Sequence, residues 1–178
     1  MASQTSRRIS AVIILIGVTL ASAAMFVMPR MTQPPEPSAT PSPTAEQVLA
    51  YYQALVDKDP QDLQAQLALG NANFDKKAYA GAIKAYQAVL LLDPKQVNAR
   101  VDMATAYYYD SVPSVAIVQF KKALEQDPDN VNALFNLGVV YHSQAQFKDA
   151  KTVWLKASGL ATDPKVKTTI DERLKTVS

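Results

Sequence analysis

Apolar and small side chains recur along most of the chain at a constant interval. The pair Leu69-Gly70 is followed by Met103-Ala104 and then, after the same interval, by Leu137-Gly138. Unrelated helices would not keep this register over three copies. A period of this length, about 34 residues, predicts a stacked array in which each helical unit buries its apolar face against the next unit.

The second half of each copy pairs a small residue with an aromatic ring four positions later. The small residues are Ala82, Ala116 and Ala150, and the rings are Tyr86, Phe120 and Trp154. Side chains at this spacing share one helix face. We therefore expect the small residue to let two antiparallel helices approach closely, and the ring to fill the space beside the neighbouring repeat. Asp-Pro pairs at 93–94 and 127–128 then end the helices, because proline donates no amide hydrogen.

This pattern resembles the tetratricopeptide repeat (TPR), a helix-turn-helix unit with Leu-Gly, Tyr, Ala, Phe and Pro at set positions. The resemblance covers residues 63 to 160 and implies an all-α fold, a TPR α-solenoid with three full repeats. The expected repeats are 63–96, 97–130 and 131–164. The third copy reaches Asp163-Pro164 two positions late, which predicts a longer turn before the last helix.

Two further helices are predicted at the ends of this TPR domain, which spans 45–178. Ala45 to Asp57, with Thr44 as its cap, matches the second helix of a truncated repeat, so we expect an N-terminal half-repeat helix. Residues 165–177 carry apolar side chains on one face, which is typical of a C-terminal capping helix with one buried and one solvated side.

The first 44 positions divide into three segments of different composition. Residues 1–8 contain two arginines and are expected to stay in the cytoplasm, whereas 9–28 contain no charged side chain. As a helix, this stretch spans roughly 30 Å, enough to cross a bilayer. A retained transmembrane helix is favoured, and Ala21-Ser22-Ala23 leaves a cleaved signal peptide as the alternative. Residues 29–44 hold six prolines and predict a semi-rigid linker.

Both interpretations of the N-terminal segment give the same topology. Because arginines stay on the cytoplasmic side, the repeats after Pro29 are predicted to be exported to the periplasm or the equivalent side. The expected localisation is therefore the membrane, with a single span.

Composition and charge exclude several classes of function. The chain of 178 residues has no cysteine, so disulfides, thiolate metal sites and covalent haem attachment are excluded. From Ala45 onward, 15 basic residues balance 15 acidic ones, which argues against nucleic acid as a partner. The chain has no glycine-rich phosphate loop and no nucleophile elbow. We therefore predict a protein that is not an enzyme, with no catalytic residue, cofactor, metal or small-molecule substrate.

The resemblance also implies where a partner would bind, because the first helix of each TPR repeat lines a concave groove. Carried over by position, the groove residues are Leu67, Asn71 and Phe74 in the first repeat, Val101, Thr105, Tyr108 and Tyr109 in the second, and Phe135, Val139 and His142 in the third. Most are apolar or aromatic, so an extended or helical peptide is the expected ligand. Hydrogen bonds from Asn71, Thr105 and His142 are expected to set its register.

Some family members grip the acidic C-terminus of chaperones with lysine and arginine in these rows. This chain has Leu67, Asp102, Asn132 and Asn136 there, so that clamp is absent. The alternative to the groove is a contact through the convex face or the transmembrane span. Tyr107 is interpreted as a core residue, and Tyr108 or Tyr109 as candidate cover for an adjacent helix. His142 is the only histidine and is interpreted as a wall or surface residue, since no second metal ligand lies nearby in sequence.

The sequence as a whole predicts a membrane-tethered scaffold for protein binding that serves the assembly of a membrane or envelope complex. Similar anchored repeat proteins act in cytochrome c maturation, which the resemblance offers as one setting. The second hypothesis is a stoichiometric structural subunit of a membrane protein complex.

Overall fold

The computed structural model of the chain describes residues 43–177, and these residues form eight α-helices and no strand. The helices are α1 (Ala45–Lys58), α2 (Leu63–Asp75), α3 (Tyr79–Leu92), α4 (Val97–Tyr109), α5 (Pro113–Gln126), α6 (Val131–Ser143), α7 (Phe147–Leu160) and α8 (Pro164–Lys175). The predicted all-α fold is confirmed for this part of the chain. The predicted transmembrane segment 9–28 and most of the linker lie outside it.

The helices stack in the order of the sequence. Helices α2, α4 and α6 begin at Leu63, Val97 and Val131, the same position of each repeat, and each packs against the helix that follows it. In addition, α4 contacts α6, the first helix of the next repeat. The first helices α4 and α6 therefore lie side by side, so their exposed faces contribute to one surface of the stack.

Each hairpin is held by the fit of a ring against a small residue. A Cβ atom on Gly70 would lie 2.5 Å from the Tyr86 ring, and one on Gly138 would lie 2.2 Å from Nε1 of Trp154. The ring therefore packs on the first helix of its own repeat, where the sequence predicted contact with the neighbouring repeat. Tyr86 also belongs to a buried cluster that includes Met103 of the next repeat.

The turn inside each hairpin contains one residue in the left-handed region. These residues are Lys77, Ser111 and Ala145, with φ of 60°, 64° and 57°, and they occupy the same position of successive repeats. The backbone of the turn is thus repeated although the side chain is not. None of the three is glycine, the usual residue at this conformation, so the sequence did not reveal them.

The expected longer turn after the third repeat is wrong. Helix α7 ends at Leu160 and α8 begins at Pro164, which leaves three residues, against four between α5 and α6. Asp163 is the N-cap of α8, and its carboxylate accepts a hydrogen bond of 2.7 Å from the Lys165 amide. Proline is well placed at the first position of a helix. This Asp-Pro pair therefore starts a helix, whereas Asp93 and Asp127 follow helix ends.

Capping interactions fix both ends of the stack. Thr44 and Gln47 form a reciprocal capping box at the start of α1, and Lys76 forms an ion pair with Glu46 between α2 and α1. At the other end, Ile170 of α8 is fully buried against the third repeat.

None of the helices between residues 43 and 177 is long and apolar enough to cross a bilayer.

Candidate functional site

The first helices of the repeats enclose two adjoining cavities on one side of the stack. The larger, about 230 Å³, is lined by Asn71, Phe74, Asp75, Tyr86, Asp102, Thr105 and Asn136. The smaller, about 40 Å³, is lined by Thr105, Tyr108, Tyr109, Phe120, Asn136, Val139 and Val140. Because the two share Thr105 and Asn136, they adjoin each other across α2, α4 and α6, and we call the pair the groove.

Six of the ten predicted site residues line this groove. They are Asn71, Phe74, Thr105, Tyr108, Tyr109 and Val139. The remaining four, Leu67, Val101, Phe135 and His142, line neither cavity. Val101 is only 5% exposed and belongs to the hydrophobic core, so a partner cannot reach its side chain in this structure. Leu67 is half-buried against the core cluster that contains Tyr86 and Met103.

The closing helix α8 covers the third repeat where the last predicted residues lie. Phe135 lines a separate cavity of about 210 Å³ together with Val166 and Ile170 of α8. The ring nitrogen Nε2 of His142 lies 3.3 Å from Oγ1 of Thr176, just after α8. Both predicted residues therefore face the cap of the stack. The repeat pattern does not reveal this, because the position of α8 is a tertiary property.

Hydrogen bonds within the groove already engage several of its polar groups. The Tyr86 hydroxyl donates to Oδ1 of Asn71 at 2.8 Å, and the Thr105 hydroxyl donates to the Val101 carbonyl at 2.9 Å. The Asn136 side-chain amide donates to Oγ1 of Thr105 at 3.4 Å. The Thr105 hydroxyl proton is thus directed to its own helix, which leaves the carboxylate oxygens of Asp75 and Asp102 and the side-chain amide of Asn71 for a ligand.

Two carboxylates give the larger cavity its charge. Asp102 is half-buried, and this burial raises the pKa of its carboxyl. Burial is also the main reason why the pKa of Tyr86 is raised, and the negative charges of Asp102 and Asp75 add to it. The phenol therefore stays protonated and remains a donor to Asn71.

Within residues 43–177, no three His, Cys, Asp or Glu side chains are grouped so that they could hold a metal ion.

An aromatic cluster, formed by Phe74, Tyr79, Tyr108 and Tyr109, stands beside the cavities. Phe74 lies 5.8 Å from Tyr109 between ring centroids, and Tyr79 stacks on Tyr109 at 5.4 Å with an interplanar angle of 19°. Tyr108 also contacts Tyr109 at 5.4 Å. Tyr109 remains 53% exposed, so the cluster presents a ring to a partner. Tyr107, interpreted as core, packs against both core clusters.

Sequence reasoning did not assign several residues that form the site. Tyr79, Asp75 and Tyr86 approach the groove from helix ends or from a second helix, so a carry-over by repeat position does not include them. From the sequence, Asp102 and Asn136 were named only because they occupy positions where some family members have a basic residue that binds a chaperone C-terminus. They occupy the same position of successive repeats, and this was the available signal that both face the same cavity.

The stacked hairpins and the groove on their first helices define an α-solenoid built from repeated units. Sequence profiles identify the repeat itself: one described as TPR repeat matches residues 115–144, and one described as tetratricopeptide repeat matches residues 49–97. The chain therefore contains tetratricopeptide repeats in these two segments. No curated protein sequence matches the chain significantly.

Solved structures share this fold at low sequence identity. A crystal structure of MamA matches with a TM-score of 0.61 and 17% identity, over 75% of this chain and 86% of that one. The TPR domain of Arabidopsis OM64 matches with a TM-score of 0.59 and 22% identity, over 64% and 94% of the two chains. The type III secretion chaperone SycD of Yersinia enterocolitica, in complex with a peptide of the translocator YopD, gives 0.61 and 18%, over 65% and 91%.

Proposed function

We propose that this protein is a non-enzymatic interaction module that binds a peptide segment of a partner protein in its groove. The observation that carries the proposal is the pair of adjoining cavities across α2, α4 and α6, which are lined by aromatic rings and by polar groups. Aromatic and aliphatic pockets of this kind supply affinity for a peptide, and fixed polar groups supply its register.

Two comparisons support a protein ligand. Two TPR profiles match the chain, and TPR arrays generally present extended binding surfaces for other proteins. SycD, which shares the fold, was solved with a peptide of its translocator. Binding of a peptide by this chain is our proposal, since the shared fold alone does not identify a ligand.

The proposal includes the location of the module. The uncharged stretch 9–28 supports a single membrane span, with the repeats held on the exported side by the proline-rich linker. In that position the groove would serve the assembly of a membrane or envelope complex, and an apocytochrome c segment is the first peptide to test. Protease added to spheroplasts should digest the repeats while sparing residues before the span; protection of the repeats in spheroplasts would contradict the topology.

Photo-crosslinking in living cells tests the groove directly. A benzophenone amino acid replaces Tyr109 in the groove or, as a matched control, Leu155 of α7, which is 55% exposed on another surface. The full chain is used, and crosslinked partners are identified by mass spectrometry. A partner captured from position 109 and not from 155 supports the groove. Capture from 155 alone contradicts it.

Capture from position 155 alone would favour the alternative function, a stoichiometric subunit of a membrane complex. Exposed apolar side chains on the second helices of the repeats support this candidate: Leu91 of α3 is 84% exposed and Val118 of α5 is 47% exposed. Such side chains are suited to a permanent protein contact where they form one contiguous patch. A subunit would also co-purify with its complex at a constant ratio, whereas an assembly factor would be substoichiometric.

A further inference from the structure

The larger cavity of the groove contains two carboxylates and no basic side chain from residues 43–177. Asp75 reaches it from the end of α2 and Asp102 from the middle of α4. Lys76 and Lys156 form their ion pairs elsewhere, with Glu46 and with Asp129. The charge of this part of the groove is therefore negative, although the sequence from Ala45 onward is neutral as a whole.

The hydrogen-bonding groups of the cavity are mainly acceptors. The hydroxyl protons of Tyr86 and Thr105 and an amide proton of Asn136 are donated to neighbouring protein atoms. Asp75, Asp102 and Asn136 contribute carboxylate and carbonyl oxygens to the lining. A lysine ammonium carries three donors and an arginine guanidinium five, and neither has an acceptor. A basic group is the complement of such a lining.

The size and position of the cavity also suit such a group. Its volume of about 230 Å³ could hold several waters, each of which occupies about 30 Å³ in the liquid, and hence the end of a basic side chain. Phe74 lines the same cavity and lies 5.8 Å from Tyr109, so a ring stands beside the carboxylates. Rings attract cations and also bind apolar side chains.

We propose that the cavity binds the lysine or arginine side chain of the partner peptide, with Asp102 as the main counter-charge, Asp75 as the second, and an apolar neighbour of that residue on the aromatic cluster. This inference rests on the proposed function, because it names the chemistry of the peptide that occupies the groove. A half-buried carboxylate with no base in its cavity is unfavourable in the free protein, and the partner's cation compensates for its lost hydration.

Peptide selection on the full chain tests the inference even while the partner is unidentified. Random twelve-residue peptides displayed on phage are selected on the full chain, and the strongest binder is synthesised as selected and with glutamine in place of its basic residue. Selected sequences that carry a lysine or arginine next to an apolar residue agree with the inference. Selection without any enrichment of basic residues overturns it.

A double-mutant cycle then locates the cation. Asp102→Asn should weaken binding of the basic peptide about tenfold and leave binding of the glutamine peptide unchanged, since a charge-assisted hydrogen bond is about twice as strong as a neutral one. Asp149→Asn, at an exposed carboxylate of α7, is the matched control and should change neither affinity. An equal loss with both peptides, or an equal effect of Asp149→Asn, contradicts the assignment.

The fold of the Asp102→Asn variant can be verified independently. The pKa of Asp102 is raised by burial, so its charged form opposes folding as the pH rises above the ordinary range of an aspartate. The variant should therefore melt at the same temperature as the parent or higher at pH 7, and the difference should vanish in acid. The titratable groups that face Asp102 across the cavity are Asp75, which both proteins share, and Tyr86, which stays neutral.

Failure of the groove itself would give a different result from failure of the basic subsite. Tyr109→Ala removes an exposed ring of the aromatic cluster and should weaken both synthetic peptides. If neither peptide is affected by Tyr109→Ala, the proposed function is wrong. If both are weakened by Tyr109→Ala and neither is specifically affected by Asp102→Asn, only the basic subsite is wrong.

Discussion

Side-chain size determines how closely the two helices of a repeat approach. Gly70 and Gly138 lie under the rings of Tyr86 and Trp154, and the middle repeat uses Ala104 and Phe120, both fully buried. Trp154 is fixed further, because its indole N–H donates to the Phe135 carbonyl at 2.9 Å. A ring held in this way cannot move aside for an added methyl group without losing that bond.

We predict that Gly138→Ala destabilises the protein by about 1–3 kcal/mol, the usual cost of overpacking a filled core. The direction is informative, because alanine is intrinsically better than glycine in a helix by about 1 kcal/mol. Gly159→Ala in α7 is the matched control: its new Cβ meets no atom within 4 Å, so it should be neutral or stabilising. Urea unfolding of the full chain measures both. Equal stabilities of the two variants would contradict the packing argument.

At the scale of the element, the hairpin turns show that backbone geometry can repeat without the residue that usually signals it. Lys77, Ser111 and Ala145 all adopt positive φ, and the amide of the residue that follows each bonds back into the preceding helix, as Gln146 does to Tyr141 at 2.9 Å. The packing of the two helices fixes this backbone conformation and compensates for its strain at each turn.

Ala145→Gly should therefore stabilise the protein by about 0.5–1 kcal/mol. A left-handed residue with a Cβ costs about 1–2 kcal/mol, and the entropy that glycine loses on folding offsets part of the gain. Ala161→Gly is the control, because φ is −66° at that helix end and only the entropic loss applies. The comparison uses the midpoint and slope of chemical unfolding. A loss of stability in both variants would contradict the strain at position 145.

At the scale of the whole repeat domain, the helices contact mainly their neighbours in sequence, so stability is distributed along a line of units. The last unit depends on α8, whose Ile170 is fully buried against the third repeat. Helix α8 and the residues just after it also cover Phe135 and His142. The end of the array thus differs from its interior, and the open groove is concentrated on the first two repeats and the junction with the third.

Ile170→Ala should cost about 2–5 kcal/mol by removing buried methyl groups, with its effect confined to the C-terminal end. Amide hydrogen exchange should accelerate in α6, α7 and α8 and remain near parent values in α2 and α3. Val166→Ala is the control in the same helix, since Val166 is 41% exposed and should have a small effect. Uniform acceleration over all helices would show that the array unfolds as one unit.

The sequence by itself determined the repeat period, the helical class, the helix ends at Asp93 and Asp127 and most groove residues on α2 and α4, because these follow from side chains within one repeat. Six of the ten predicted site residues line the groove for that reason. The segment before residue 43 remains a prediction from sequence. Tertiary structure alone decided that Val101 is core, that the C-terminal cap covers His142, and that Asp75 joins Asp102 and Asn136 in one cavity. Those outcomes depend on how tightly successive helices stack, and contacts between distant residues set that distance.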